Sequence, residues 1–176
     1  VDNFLTTELA GVLYIGRELT RFWKENAPTG SAPRALFMSN GDDGAGPAAA
    51  RALAEAVAGR EDVLVLDSGT APENETGALR RFAPDLVLFL DAAQMDAPPG
   101  TVRWVPFEGM SGVGASTHAL PPSLLATYLR AELGCEVALL GIQPAGNAMD
   151  TPLSPPVRAA VSWLVSELGA ALAAGG

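Results

Sequence analysis

From Arg34 onward, short apolar runs alternate with stretches of helical periodicity, and this alternation confines the chain to an α/β fold. Ala35 to Met38, Val63 to Leu66, Leu86 to Leu90, Val102 to Val105 and Val137 to Leu140 read as strands. Between them, Pro47 to Ala58, Glu75 to Phe82 and Pro121 to Leu133 read as helices, the last with Leu124, Leu125, Tyr128 and Leu129 on one stripe. A final helix has Ser154 as N-cap and Pro155 in its first turn, and a stripe of Val157, Val161, Leu164, Val165, Leu168 and Leu172. Alternating strands and helices predict a three-layer αβα sandwich around a twisted, five-stranded sheet that is mostly parallel or mixed.

The segment before Arg34 follows a different pattern. Over residues 1–26, Phe4, Leu5, Leu9, Val12, Leu13, Leu19, Phe22 and Trp23 recur at helical spacing, which predicts an amphipathic helix docked on the domain or on a partner. Ala27 to Pro33 is rich in Pro, Gly and Ser and reads as a linker. The predicted division is therefore an extension over 1–33 and one domain over 34–176.

With 176 residues, 48% of them hydrophobic, the chain is long enough for a single core. A formal net charge of −9 and scattered Lys and Arg residues argue against nucleic acid, whose phosphates require a basic face. No apolar run is long enough to span a bilayer, and Asp2 and Glu8 stand where an export signal would be basic, so the expectation is a cytoplasmic monomer without membrane insertion. A single cysteine, Cys135, rules out an internal disulfide and a thiolate cluster. Metal binding by this chain would thus rely on oxygen and imidazole donors.

In open α/β sheets, functional groups gather beyond the carboxyl ends of the strands. Three carboxylate-bearing segments occupy such places: Asn40-Gly41-Asp42-Asp43-Gly44-Ala45-Gly46, Asp67-Ser68-Gly69-Thr70 and Asp91-Ala92-Ala93. The first is a glycine-rich turn, but its paired aspartates would repel phosphate and its spacing is not that of a dinucleotide site. Read structurally, its acids are helix caps and its glycines relieve the backbone. His118 is the sole histidine. It reads either as an ordinary solvated residue or, lying just before Pro121 and Pro122 at a helix start, as an imidazole kept neutral and fit for a metal. Asp43, Asp91 and His118 converging would make an open site of two carboxylates and one imidazole. Asp67 reads as an orienting acceptor, a general base or a turn aspartate, and Glu73 and Asn74 either line the cleft or start the next helix. Cys135 has no evident base beside it, which disfavours covalent catalysis.

Taken together, Gly41 to Pro47, Asp67 to Asn74, Asp91-Ala92 followed by Pro99-Gly100, Thr117-His118 and Leu140-Gly141-Ile142-Gln143-Pro144 resemble the hydrogenase maturation endopeptidases. The resemblance runs from about residue 34 onward and is nearest to those acting on formate-hydrogenlyase-type [NiFe]-hydrogenase. It implies an aspartic-type or metal-dependent endopeptidase that removes a C-terminal extension from the large-subunit precursor once nickel is inserted, cutting after a basic residue beyond the last cysteine motif. It further implies that Asp43, Asp91 and His118 contact the substrate-borne nickel. Beside that set, the expected catalytic residues are Asp43 and Asp67, and the expected substrate contacts are Glu73, Asn74 and Thr117. A Gly-Asn pair usual in that family before the Gly-Asp-Asp turn is absent here, where the chain reads Met38-Ser39-Asn40-Gly41. A non-cleaving maturation partner and a metal-dependent small-molecule hydrolase are the competing readings.

Overall fold

The computed structural model describes residues 17–21, 25, 33–39, 44–69, 71–112, 122–146 and 152–174. Within them the chain forms β1 (Ala35–Ser39), α1 (Ala45–Ala56), β2 (Val63–Asp67), α2 (Thr76–Phe82), β3 (Leu86–Ala92), β4 (Val102–Pro106), α3 (Pro122–Leu133), β5 (Glu136–Ile142) and α4 (Pro155–Ala174). Short 3₁₀ turns at Pro72–Glu75 and Phe107–Gly112 precede α2 and follow β4. The five strands form one sheet in the order β2-β1-β3-β5-β4. Four are mutually parallel, and β4 runs antiparallel to β5 at one edge.

Side chains alternate across the pleat and divide the core in two. On one face Ala35, Phe37, Leu86, Leu88, Leu90, Ala138, Leu140 and Ile142 pack with α1 and α4. On the other, Leu36, Met38, Val87, Phe89, Val137 and Leu139 pack with α2, α3 and the 3₁₀ turn that carries Met110. The central strands are apolar at nearly every position because both faces are covered, which is why no alternating pattern marks them in the sequence. The result is the three-layer α/β sandwich that the sequence implies.

Differences from the sequence reading lie at the element ends. The ladders carry each strand past its apolar run, so Ser39, Asp67 and Asp91 are strand residues with registered partners instead of loop residues. Helix α1 begins at Ala45, two residues before Pro47, because Gly44 at its N-cap takes a φ of 121° that turns the chain into the helix. Only half of the α3 stripe is buried. Leu125, Ala126 and Leu129 face the core, whereas Leu124 and Tyr128 are exposed. Adjacent helical residues point about 100° apart, and the packed row is the one through Leu125. Tyr128 instead accepts a hydrogen bond from Arg80 at 2.8 Å. Helix α4 buries Val157, Val161, Leu164, Leu168 and Leu172 as read. The Ser154 hydroxyl, however, makes no cap hydrogen bond among the described residues, and only its carbonyl accepts from Arg158.

Most of the 1–33 extension lies outside the described residues. Residues 17–21 are helical, and Leu19, 1% exposed, belongs to the core cluster of the α1 and α4 face.

At the opposite end of the sheet from the carboxylates, Arg60 closes the structure. Its guanidinium is paired with Asp62 at 2.6 and 3.0 Å and donates to the carbonyl of Leu172 at 2.9 Å, tying the start of β2 to the last turn of α4. The hydrogen bond from Arg60 holds the Asp62 carboxyl below its ordinary pKa. A depressed carboxyl contributes stability above its unfolded pKa and loses it as pH falls through the folded one. Asp62→Asn is therefore expected to melt below the wild type at neutral pH, with the gap closing as pH drops below about 4; thermal melts across that range check it.

Candidate active site

The strand order reverses between β1 and β3, since α1 carries the chain from β1 to β2 on one side while β3 lies on the other. Such a switch point opens a crevice at the carboxyl ends of the strands, and Asp91 stands there. It lies near the end of β3, in register with Gly141 of β5, and is 5% exposed. By alternation it shares the face of Val87 and Phe89, the side covered by α2 and α3. A carboxylate buried this deeply is costly to ionise unless a partner or a bound cation compensates it.

The first turn of α1 is pressed against the same point of β3. A Cβ on Gly46 would overlap the carbonyl oxygen of Leu90 and sit 3.1 Å from Asp91 Cα, so only glycine lets the helix seat there. Gly44 follows Asp43 directly in the sequence, and Gly46 lies three residues after it. The two glycines of the turn thus have separate tasks: one turns the chain, the other permits contact with the strand that bears Asp91.

Asp67 belongs to a different cluster. Its Oδ1 accepts from the Ser39 hydroxyl at 2.7 Å and its Oδ2 from Arg51 of α1 at 2.8 Å. Ser39 and Asp67 are register partners on adjacent strands, and Ser39 is fully buried. By alternation both lie on the α1 face, since Phe37 and Val65, two residues earlier on each strand, belong with that cluster. Asp67 and Asp91 are therefore on opposite faces, on strands separated by β1, which at the usual strand spacing puts about 10 Å between them.

Of the remaining positions singled out by sequence, Glu73 and Asn74 lie in the 3₁₀ turn before α2. The Asn74 amide donates to Ala71 at 3.0 Å, and its side chain is exposed. Asp43, Thr117 and His118 lie outside the described residues, and no group of three His, Cys, Asp or Glu side chains able to hold a metal occurs among the described ones. Trp104 and Trp163 pack against the first core cluster and Phe107 against the second, where Arg130 stacks 4.5 Å above its ring. Cys135 is 4% exposed, and burial pushes its thiol up to about 11.

Three residues of this region escaped the sequence reading. Ser39 and Arg51 carry no motif signal; their role depends on the β1–β2 pairing and on how α1 is rotated. Gln143 was visible only as one letter of the Leu140 to Pro144 segment. It is 6% exposed, and its side chain bonds the loop that follows Asp91.

The fold and the switch-point carboxylate define an open α/β protein with a candidate site at the carboxyl ends of its strands, and comparison with known proteins narrows the class. Residues 47–170 match the family model described as hydrogenase maturation protease. The chain is 36% identical over 129 residues to the hydrogenase 3 maturation protease of Escherichia coli K12, covering 73% of this chain and 81% of that protein. Among solved structures, the [NiFe] hydrogenase maturation protease HycI of Thermococcus kodakarensis superposes with a TM-score of 0.70 at 29% identity, over 80% of this chain and 93% of that one. The crystal structure of a hydrogenase 3 maturation protease gives a TM-score of 0.63 at 32% identity, over 77% and 88%. The chain belongs to the hydrogenase maturation protease family and is a peptidase of that kind. The family match begins at Pro47, four residues after Asp43 in the sequence.

Two outcomes follow from this geometry. Gly46→Ala gains about 0.5–1 kcal/mol of helix propensity but collides with strand backbone, which cannot swing aside. A net loss of about 1–3 kcal/mol is expected by chemical unfolding. The Cys135 thiol, buried and far from its thiolate form at pH 8, should resist iodoacetamide in the native protein and react only after denaturation, as read by mass spectrometry.

Proposed function

We propose that the protein is the endopeptidase that trims the C-terminal extension from a [NiFe]-hydrogenase large-subunit precursor after nickel insertion. One observation carries this reading: in a chain of the maturation protease family, a carboxylate, Asp91, is buried at the switch point of the sheet. A carboxylate in that place supplies hard oxygen donors where an open α/β sheet receives its ligand.

In this reading Asp43 and Asp91 supply carboxylate oxygens and His118 a ring nitrogen to the nickel that the precursor carries on its cysteines. Three donors leave room for the substrate's own ligands, and the enzyme's affinity then depends on whether the precursor is loaded. The nickel serves as the recognition element, and the scissile amide, following a basic residue, is brought beside the crevice for hydrolysis. Contact between Gly46, three residues after Asp43, and the backbone of Asp91 supports the joining of these two segments. Asp67, with both oxygens engaged by Ser39 and Arg51, acts by bracing the ends of β1 and β2, and Glu73, Asn74 and Thr117 contact the peptide. The protein works as a cytoplasmic monomer; no described helix is long and apolar enough to cross a membrane.

Incubation with nickel-loaded precursor should release a C-terminal peptide visible by mass spectrometry, and none from nickel-free precursor. Asp91→Asn and His118→Ala should each abolish release while keeping the wild-type circular dichroism. Full processing by either variant would reject the ligand set. An unchanged precursor mass with retained binding would instead make the protein a non-cleaving maturation partner, and turnover of small amides without precursor would favour a metal-dependent small-molecule hydrolase.

A further inference from the structure

The segment Leu140 to Pro144 has no part in the ligand set, yet its two polar or small positions converge on the chain just beyond Asp91. Gly141 pairs with Asp91 across the sheet, and a Cβ there would lie 2.9 Å from Ala93 Cβ and 3.1 Å from the Met95 sulfur. The missing side chain lets the post-strand turn fold back onto β5. Gln143 then locks that turn. Its Oε1 accepts from the Met95 amide at 2.7 Å, and its Nε2 donates to Gln94 Oε1 at 2.9 Å and to the Pro144 carbonyl at 3.2 Å. Its backbone joins the far end of the same loop, accepting from Gly100 at 2.9 Å and donating to Thr101 at 2.8 Å. One residue thus holds both ends of the loop over 93–101.

The geometry points to Gln143 as a positioning residue for Asp91: its buried side-chain amide fixes the turn over 93–95 and so holds the Asp91 carboxylate at the crevice. This rests on the reading of Asp91 as a contact for substrate-borne nickel. Residues one shell out from a ligand act by fixing its orientation, and their loss typically costs about ten- to a hundred-fold in affinity or activity. A buried amide with donor and acceptor both engaged is suited to that task, because an apolar residue of equal length fills the space without the hydrogen bonds.

The experiment compares binding of nickel-loaded and nickel-free precursor by wild type, Gln143→Met and Asp91→Asn, with cleavage of the loaded form in parallel. Gln143→Met is expected to weaken loaded-precursor binding and lower kcat/KM by about ten- to a hundred-fold and to leave nickel-free binding unchanged. Faster amide exchange at Met95 should accompany this. Equal weakening for loaded and nickel-free precursor would show a merely structural role and overturn the proposal, as would wild-type discrimination in the variant. Should Gln143→Met not fold, Gln94→Leu at the exposed end of the same contact is expected to shift discrimination in the same direction by a smaller factor, and wild-type behaviour there would overturn the proposal instead. Failure of the underlying reading has its own signature: wild type that does not distinguish the two precursors, or Asp91→Asn that still does, removes both together.

Discussion

The close seating of α1 on β3 is the contact on which the rest of the site depends. Helix and strand backbones approach at Gly46 and Leu90 more closely than any side chain would allow, and the approach occurs one residue from Asp91. Moving the helix outward would separate its first turn from the end of β3. The apolar residues of α1, Ala49, Ala50 and Leu53, are fully buried against the same face, so the core holds the helix at the distance that Gly46 permits.

The sheet separates two carboxylates that look alike in sequence. Both terminate apolar strands, but a shift of one position in side-chain parity puts Asp67 under α1 and Asp91 on the α2 and α3 side. Asp67 is exposed and accepts from a hydroxyl and a guanidinium, an arrangement that ties β1, β2 and α1 together. Asp91, on the other face, is buried at the switch point. The same residue type therefore sits in two different environments at the ends of two strands of one sheet.

Several small motif residues of this chain are explained by packing instead of chemistry. Gly46 admits a strand backbone, and Gly141 admits Ala93 and Met95. Gln143 supplies the polar lock that a turn folded back on the sheet requires, because an amide buried there without a partner would destabilise it.

The strands and helices were legible in the sequence because both follow from hydrophobic period alone. So were the acidic strand ends, and the family resemblance was carried by motifs that lie within or beside those ends. Which face each acid occupies was not legible, because parity depends on where the ladder register begins, and the ladders extended β1, β2 and β3 past their apolar runs. Nor were the partnerships of Ser39 with Asp67, across 28 residues, or of Gln143 with Met95, across 48. A single sequence records local preference. Contacts between distant residues are chosen only when the whole core packs, and in this protein those contacts decide which carboxylate is tied to a neighbouring strand and helix and which is buried at the switch point.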